Sequence, residues 1–111
     1  MSPIIDVSTD TFDAEVVQSD VPVLLDFHAV WCGPCKAMEP LLKDVATEYE
    51  GDAKIVKIDI EAEPALAEKF AIKSVPTLIL MHKGEVKEHV SGARTRGNLA
   101  ALFERYMDAG K

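Results

Sequence analysis

No stretch of this chain approaches the roughly 18–20 consecutive apolar residues that a membrane-spanning helix requires. Its opening residues, MSPIIDVSTD, have neither the basic start nor the apolar core of a secretory signal. The protein is therefore expected to stay where it is made, read here as the cytoplasm, with no membrane partner. There is no excess of basic charge either: 12 Lys and Arg stand against 19 Asp and Glu, a formal net charge of -7, which argues against a phosphate-binding surface and nucleic acid. Cysteine is scarce, and two residues are too few for the disulfide framework of a small secreted domain. Repeats, low-complexity tracts and Gly/Ser-rich linkers are missing, so no internal boundary is visible.

What remains reads as one domain over residues 1–111. Hydrophobic residues make up 48% and charged residues 28%, a composition that folds rather than one that stays disordered. Short strands are expected at Ile4–Val7, Val23–Ala29, Lys54–Ile60, Thr77–Met81 and Val86–Val90, the last two joined by a turn at Lys83-Gly84. Between them, helical spacing predicts Thr11–Gln18 capped by Ser8 or Thr9, Cys35–Tyr49 ended by Gly51 and kinked at Pro40, and Pro64–Phe70. A last amphipathic helix carries Leu99, Leu102, Phe103 and Tyr106. The order βαβαβαββα, closing in a hairpin, gives an α/β fold with a mixed sheet flanked by helices.

Both cysteines fall within AVWCGPCKAM, four residues from first to last. Cys32 follows a buried strand and opens a helix, where unpaired N–H groups and the helix dipole favour an anion. A thiolate is such an anion, so Cys32 is the expected nucleophile. Side chains three apart on a helix lie about 5–6 Å from one another, a spacing a disulfide tolerates. Gly33 permits the tight turn and Pro34 suits the first helical turn. Cys35, one turn further in and expected to be the more buried, is the expected resolving thiol. The alternative is half of a zinc site, for which only His28, His82 and His89 remain as further His ligands.

Asp26 interrupts the apolar run VLLDF. A buried carboxylate is disfavoured by several kcal/mol, on the order of the desolvation penalty of an ion, unless paired or protonated. Burial is expected to raise its pKa and make it a general base for Cys35, with Lys57 of KIVKIDI as counter-charge on a neighbouring strand. A purely structural ion pair is the competing explanation.

Taken together, DFHAVWCGPCKAMEP with Asp26, Pro40, Lys57, KSVPTL around Pro76, Gly84 and Gly92 resembles the thioredoxin family over nearly the whole chain. The resemblance implies a thioredoxin fold with a central five-stranded mixed sheet and four α-helices, and a cis bond at Val75-Pro76 facing the cysteines. It further implies a docking surface of Trp31, Gly33, Pro34, Val75, Pro76, Gly92 and Ala93, on which the Val75 backbone pairs with an extended client segment. The implied activity is general reduction of protein disulfides by a Cys32/Cys35 dithiol, with no bound cofactor. Reducing equivalents would come from NADPH through a separate flavoprotein thioredoxin reductase, and the clients implied are ribonucleotide reductase, methionine sulfoxide reductase and peroxiredoxins. A monomer is expected. An oxidase or isomerase, and a redox-independent binding module, are the rival readings.

The chain departs from the family pattern in places. His28 stands where many members have tryptophan, Phe70-Ala71 replaces the more usual Tyr-Gly, and Val30 replaces a common acidic or polar residue beside Trp31. Lys36 is read as a solvated helix residue whose charge assists the Cys32 thiolate.

Overall fold

The computed structural model describes residues 4–107. Strands β1 (Ile4–Asp6), β2 (Val23–His28), β3 (Lys54–Asp59), β4 (Thr77–His82) and β5 (Glu85–Ser91) form one sheet in the order β1-β3-β2-β4-β5. β3 runs parallel to both β1 and β2, while β4 is antiparallel to β2 and β5 to β4. The sheet is thus mixed, as the terminal hairpin requires. The two central runs, VLLDFH and TLILMH, are buried along almost their whole length, which is why they read as near-continuous apolar strings. The edge strand EVKEHVS is largely exposed, and its charges discourage pairing with a foreign strand.

Helices α1 (Gly33–Glu48), α2 (Pro64–Lys69) and α3 (Arg96–Glu104) follow β2, β3 and β5. On one face of the sheet, Met38, Leu42 and Val45 of α1 and Leu99, Leu102 and Phe103 of α3 pack on Leu24, Leu78 and Leu80. On the other, Leu66 of α2 and Phe12 and Val16 pack on Leu25, Phe27, Val56, Ile58 and Ile79. Leu24 and Leu25 enter opposite layers, so the period of two along β2 puts Asp26 on the α1 side. A carboxylate is thereby set between the sheet and the helix that carries the cysteines.

The first helix is shorter and wider than its sequence predicts. Instead of Thr11–Gln18, the five residues Asp13–Val17 form a π-type segment with no side-chain cap, in which the Gln18 N–H reaches back to the Asp13 carbonyl at 3.0 Å. The two hydroxyls expected to cap it divide: Ser8 Oγ accepts the Thr11 N–H at 3.3 Å, a cap on the turn that precedes the segment, while Thr9 bonds away from it. Thr9 donates through N–H and Oγ1 to Glu63 Oε1, at 2.8 and 3.1 Å, and Ser8 pairs with Thr11. α1, by contrast, continues through Pro40, whose ring nitrogen has no hydrogen to give the Lys36 carbonyl.

α2 ends in the pattern that glycine usually terminates. The Ile72 N–H donates to the Ala67 carbonyl at 2.9 Å and the Ala71 N–H to Glu68 at 3.0 Å, with Ala71 at φ 53. This is a Schellman ending carried by an alanine in the left-handed region. We predict that Ala71→Gly raises stability by about 0.5–1 kcal/mol, the relief of the Cβ clash outweighing the greater freedom of glycine in the unfolded chain. Urea denaturation checks this, and an unchanged or lower midpoint contradicts it.

Candidate active site

Cys32 and Cys35 form a disulfide with their Cα atoms 5.3 Å apart. It sits just beyond the C-terminal end of β2, at the start of α1. Cys32 is the N-cap of α1, with extended backbone, and its Sγ accepts the Cys35 N–H at 3.1 Å. Pro34 lies in the first turn, where its missing donor leaves no bond unmade. Once the disulfide opens, that amide and the helix N-terminus favour negative charge on the Cys32 sulfur.

Both cysteines are enclosed, Cys32 at 3% and Cys35 at 5% exposure. The expectation that Cys35 is the deeper of the two is therefore corrected. Cys32 is covered because it packs with Ala29 beneath Ile60 and Val75. What distinguishes the pair is orientation: Cys35 lines a cavity of about 340 Å³ shared with Asp26, His28, Lys36, Glu39 and Lys57, and Cys32 does not.

Asp26 is 2% exposed, and its Oδ1 has no hydrogen-bond partner. The sheet places it beside Lys57 on β3 and Leu78 on β4. Burial pushes its carboxyl up to about 7, with Lys57 opposing the shift and Glu39 adding to it. The ion pair expected between Asp26 and Lys57 is made with another residue: Lys57 Nζ donates to Glu39 Oε2 at 2.7 Å. Glu39 Oε1 also lies 3.6 Å from Lys43 Nζ, and the Lys57 bond holds the Glu39 carboxyl below its usual range. A partly exposed carboxylate keeps its charge with far less desolvation than a buried one, so it is the better acceptor for the ammonium. His28 is half-buried and lines this cavity and a second of similar size bordered by Asp6, Asp59 and Glu63. Burial and Lys57 hold its imidazole below the usual range, hence neutral at neutral pH.

Around the disulfide, Val30 and Trp31 are 63% and 62% exposed, and Gly33, Pro34 and Ala93 are exposed as well. The Trp31 indole N–H donates to Glu61 Oε2 at 3.0 Å. Asp59 Oδ1 accepts the amides of Glu61 and Ala62 at 2.8 and 3.3 Å and so shapes that loop. The Val75-Pro76 bond is cis, and Val75 packs against the cysteine pair. The Pro76 carbonyl accepts the Gly92 N–H at 2.8 Å, with Gly92 at φ 89, a conformation that suits a residue without Cβ. Arg94 Nη1 donates to the Gly92 and Ala93 carbonyls at 3.3 and 3.0 Å.

Two residues of this site escaped the sequence reading. Glu39 was findable, because it lies four residues after Cys35 and so on the same face of the helix. Glu61 had no local signal, being thirty residues from the indole it holds. Among the described residues, no group of three or more His, Cys, Asp or Glu side chains is gathered for a metal, and no helix is long and apolar enough to cross a membrane.

Cysteines placed so can pass between dithiol and disulfide, and that exchange defines a dithiol–disulfide oxidoreductase. The Thioredoxin family model matches residues 3–105. Thioredoxin 1 of a Nostoc species is 39% identical over 107 residues, covering 96% of this chain and 100% of that protein. The thioredoxin of Haemophilus influenzae is 38% identical with the same coverage, and that of Porphyra purpurea 39% identical over 91% of this chain and 94% of its own length. The chain belongs to the thioredoxin family and has its fold. The redox-active group of this family is the cysteine pair itself, with no resident cofactor.

The raised Asp26 carboxyl has a consequence for stability. A carboxyl that titrates at about 7 when folded and at 3.8 when unfolded favours the folded state fully below pH 4, and that contribution is lost as pH rises through 7. Asp26→Ala should therefore leave stability nearly unchanged at pH 4 and raise it by about 2–4 kcal/mol at pH 8. Urea denaturation of the oxidised protein at both pH values measures this, and an equal effect at both would contradict it.

Proposed function

We propose that this oxidoreductase is a general reductant of protein disulfides, with residues 1–111 acting as a single monomeric domain. The observation that carries the reading is the division of environment between the sulfurs: Cys32 Sγ rests on the Cys35 amide, while Cys35 opens to the cavity that holds Asp26. The Cys32 thiolate attacks one sulfur of a client disulfide. That S–S bond breaks, the other client sulfur leaves as a thiolate, and a mixed disulfide joins Cys32 to the client. The ionised Asp26 carboxylate, directly or through a water, takes the proton of the Cys35 thiol. The Cys35 thiolate attacks Cys32 Sγ, closing the Cys32–Cys35 disulfide and expelling the second client sulfur. Two electrons pass to the client.

Lys57 bounds the field at Asp26 from β3. Trp31, Gly33, Pro34, Val75, Pro76, Gly92 and Ala93 form the docking surface, where an extended client segment pairs with the Val75 backbone. NADPH, through a separate flavoprotein thioredoxin reductase, regenerates the dithiol. The clients include ribonucleotide reductase, methionine sulfoxide reductase and peroxiredoxins, and the setting is the cytoplasm. Family membership supports these assignments.

Two experiments test the reading. In a redox titration followed by the fluorescence of Trp31, the sole tryptophan, a two-electron transition at or below the cytosolic glutathione poise is expected. A transition well to the oxidising side would transfer the protein to the oxidases or isomerases. With a disulfide-bearing client, Cys35→Ser should accumulate the mixed disulfide and Cys32→Ser should form none. Trapping by Cys32→Ser would reverse the assigned roles.

A further inference from the structure

The cavity beside Cys35 contains a juxtaposition that the exchange reaction does not explain. Asp26 and Lys57 are register partners on adjacent strands, yet Asp26 Oδ1 is buried without a hydrogen-bond partner while Lys57 Nζ donates to Glu39. An unpaired carboxyl next to an ammonium is a state that ordinary electrostatics would collapse into an ion pair. The group that holds Lys57 instead is on α1, not on the sheet. Glu39 lies one helical turn beyond Cys35 and is partly exposed, with Lys43 on its other side.

We propose that Glu39 is a positioning residue for thiol exchange: by binding Lys57 Nζ at the rim of the cavity, it keeps the ammonium off Asp26 and leaves the Asp26 carboxyl free to face Cys35. Every charged or titratable group facing Asp26 fits this account. β3 contributes Lys57, and β4 contributes only the apolar Leu78. On β2, His28 lies two residues along on the same face, beside Asp59 in the β3 register. α1 contributes Cys35, Lys36 and Glu39. Of the cations in this set, Lys57 is the one that is both adjacent in the sheet and held by an acidic partner on α1. With Glu39 in place, two influences act on Asp26 in one direction: a nearby negative charge and a diverted positive one. The Glu39 carboxylate thus raises the proton affinity of the Asp26 carboxylate, which makes its ionised form a stronger base for a thiol.

The inference deepens the reading of Asp26 as the base for Cys35 and rests on it for its functional meaning, but its test does not. The Asp26 carboxyl is followed by carbon-13 NMR against pH in the oxidised protein, its resonance assigned by its loss in Asp26→Ala. The proteins compared are the parent, Glu39→Gln, Lys57→Met and the double variant. Glu39→Gln should lower the Asp26 midpoint by roughly one pH unit or more, the effect of a cation newly beside a carboxylate. In the Lys57→Met background the same substitution should lower it by less than half as much, because no ammonium is left to release. Equal shifts in the two backgrounds, no shift, or an upward shift would overturn the proposal. Because Glu39 is partly exposed, Glu39→Gln is expected to fold, and Glu39→Ala supplies the same comparison should it not.

The rate at which a Cys32-linked mixed disulfide resolves, measured against pH, separates the two ideas. If the NMR midpoint and the rate profile move together in Glu39→Gln, both the positioning role and the base role stand. If the NMR midpoint falls while the rate profile stays in place, Glu39 still positions Lys57 and it is the base role of Asp26 that fails.

Discussion

The site is organised around a carboxyl group held in the interior of a sheet. Asp26 stands in one of the two buried central strands, one face of which packs against the helix bearing Cys35, and no neighbouring group satisfies its Oδ1. Leaving a buried polar atom unbonded is unfavourable by roughly 1–3 kcal/mol, so the surrounding packing has to be stable enough to hold it. The apolar layers on either side of β2 supply that support. The same enclosure that makes the group unfavourable for stability moves its titration into the range where it can exchange a proton with a thiol. Stability and reactivity are coupled through one side chain.

Much of this arrangement was legible in the chain. The strands announced themselves because central strands of such a sheet are buried on both faces and read as short apolar runs, and the CGPC segment fell between a strand and a helix where its chemistry is served by backbone amides. The misreadings share a cause: each depended on partners distant in sequence. Thr9 was a plausible cap by local rules, but its donors are claimed by Glu63, fifty-four residues away. Lys57 was correctly placed beside Asp26, yet side-chain reach across the layer, from β3 to α1, decided its partner. The burial of Cys32 likewise comes from Ile60 and Val75, contributed by loops far along the chain.

The departures from the family pattern affect different levels of the structure. Ala71 occupies a backbone conformation suited to glycine, and its strain bears on stability. Val30 is exposed beside Trp31 and extends the apolar rim, a change in what the surface offers rather than in the chemistry beneath it. His28 borders two cavities at once, and a neutral imidazole there adds a polar wall to the space next to Asp26 where a larger indole would occupy volume.

The enclosure of both sulfurs bears on how electrons enter the molecule. An in-line attack on a disulfide needs an open approach along the S–S axis, and a pair covered by Ile60 and Val75 offers little of one to a thiol diffusing in bulk. A protein that seats itself on the surrounding rim can present its own sulfur along that line. Access to the sulfur pair is therefore set by the residues packed on it as much as by the chemistry of the thiols themselves.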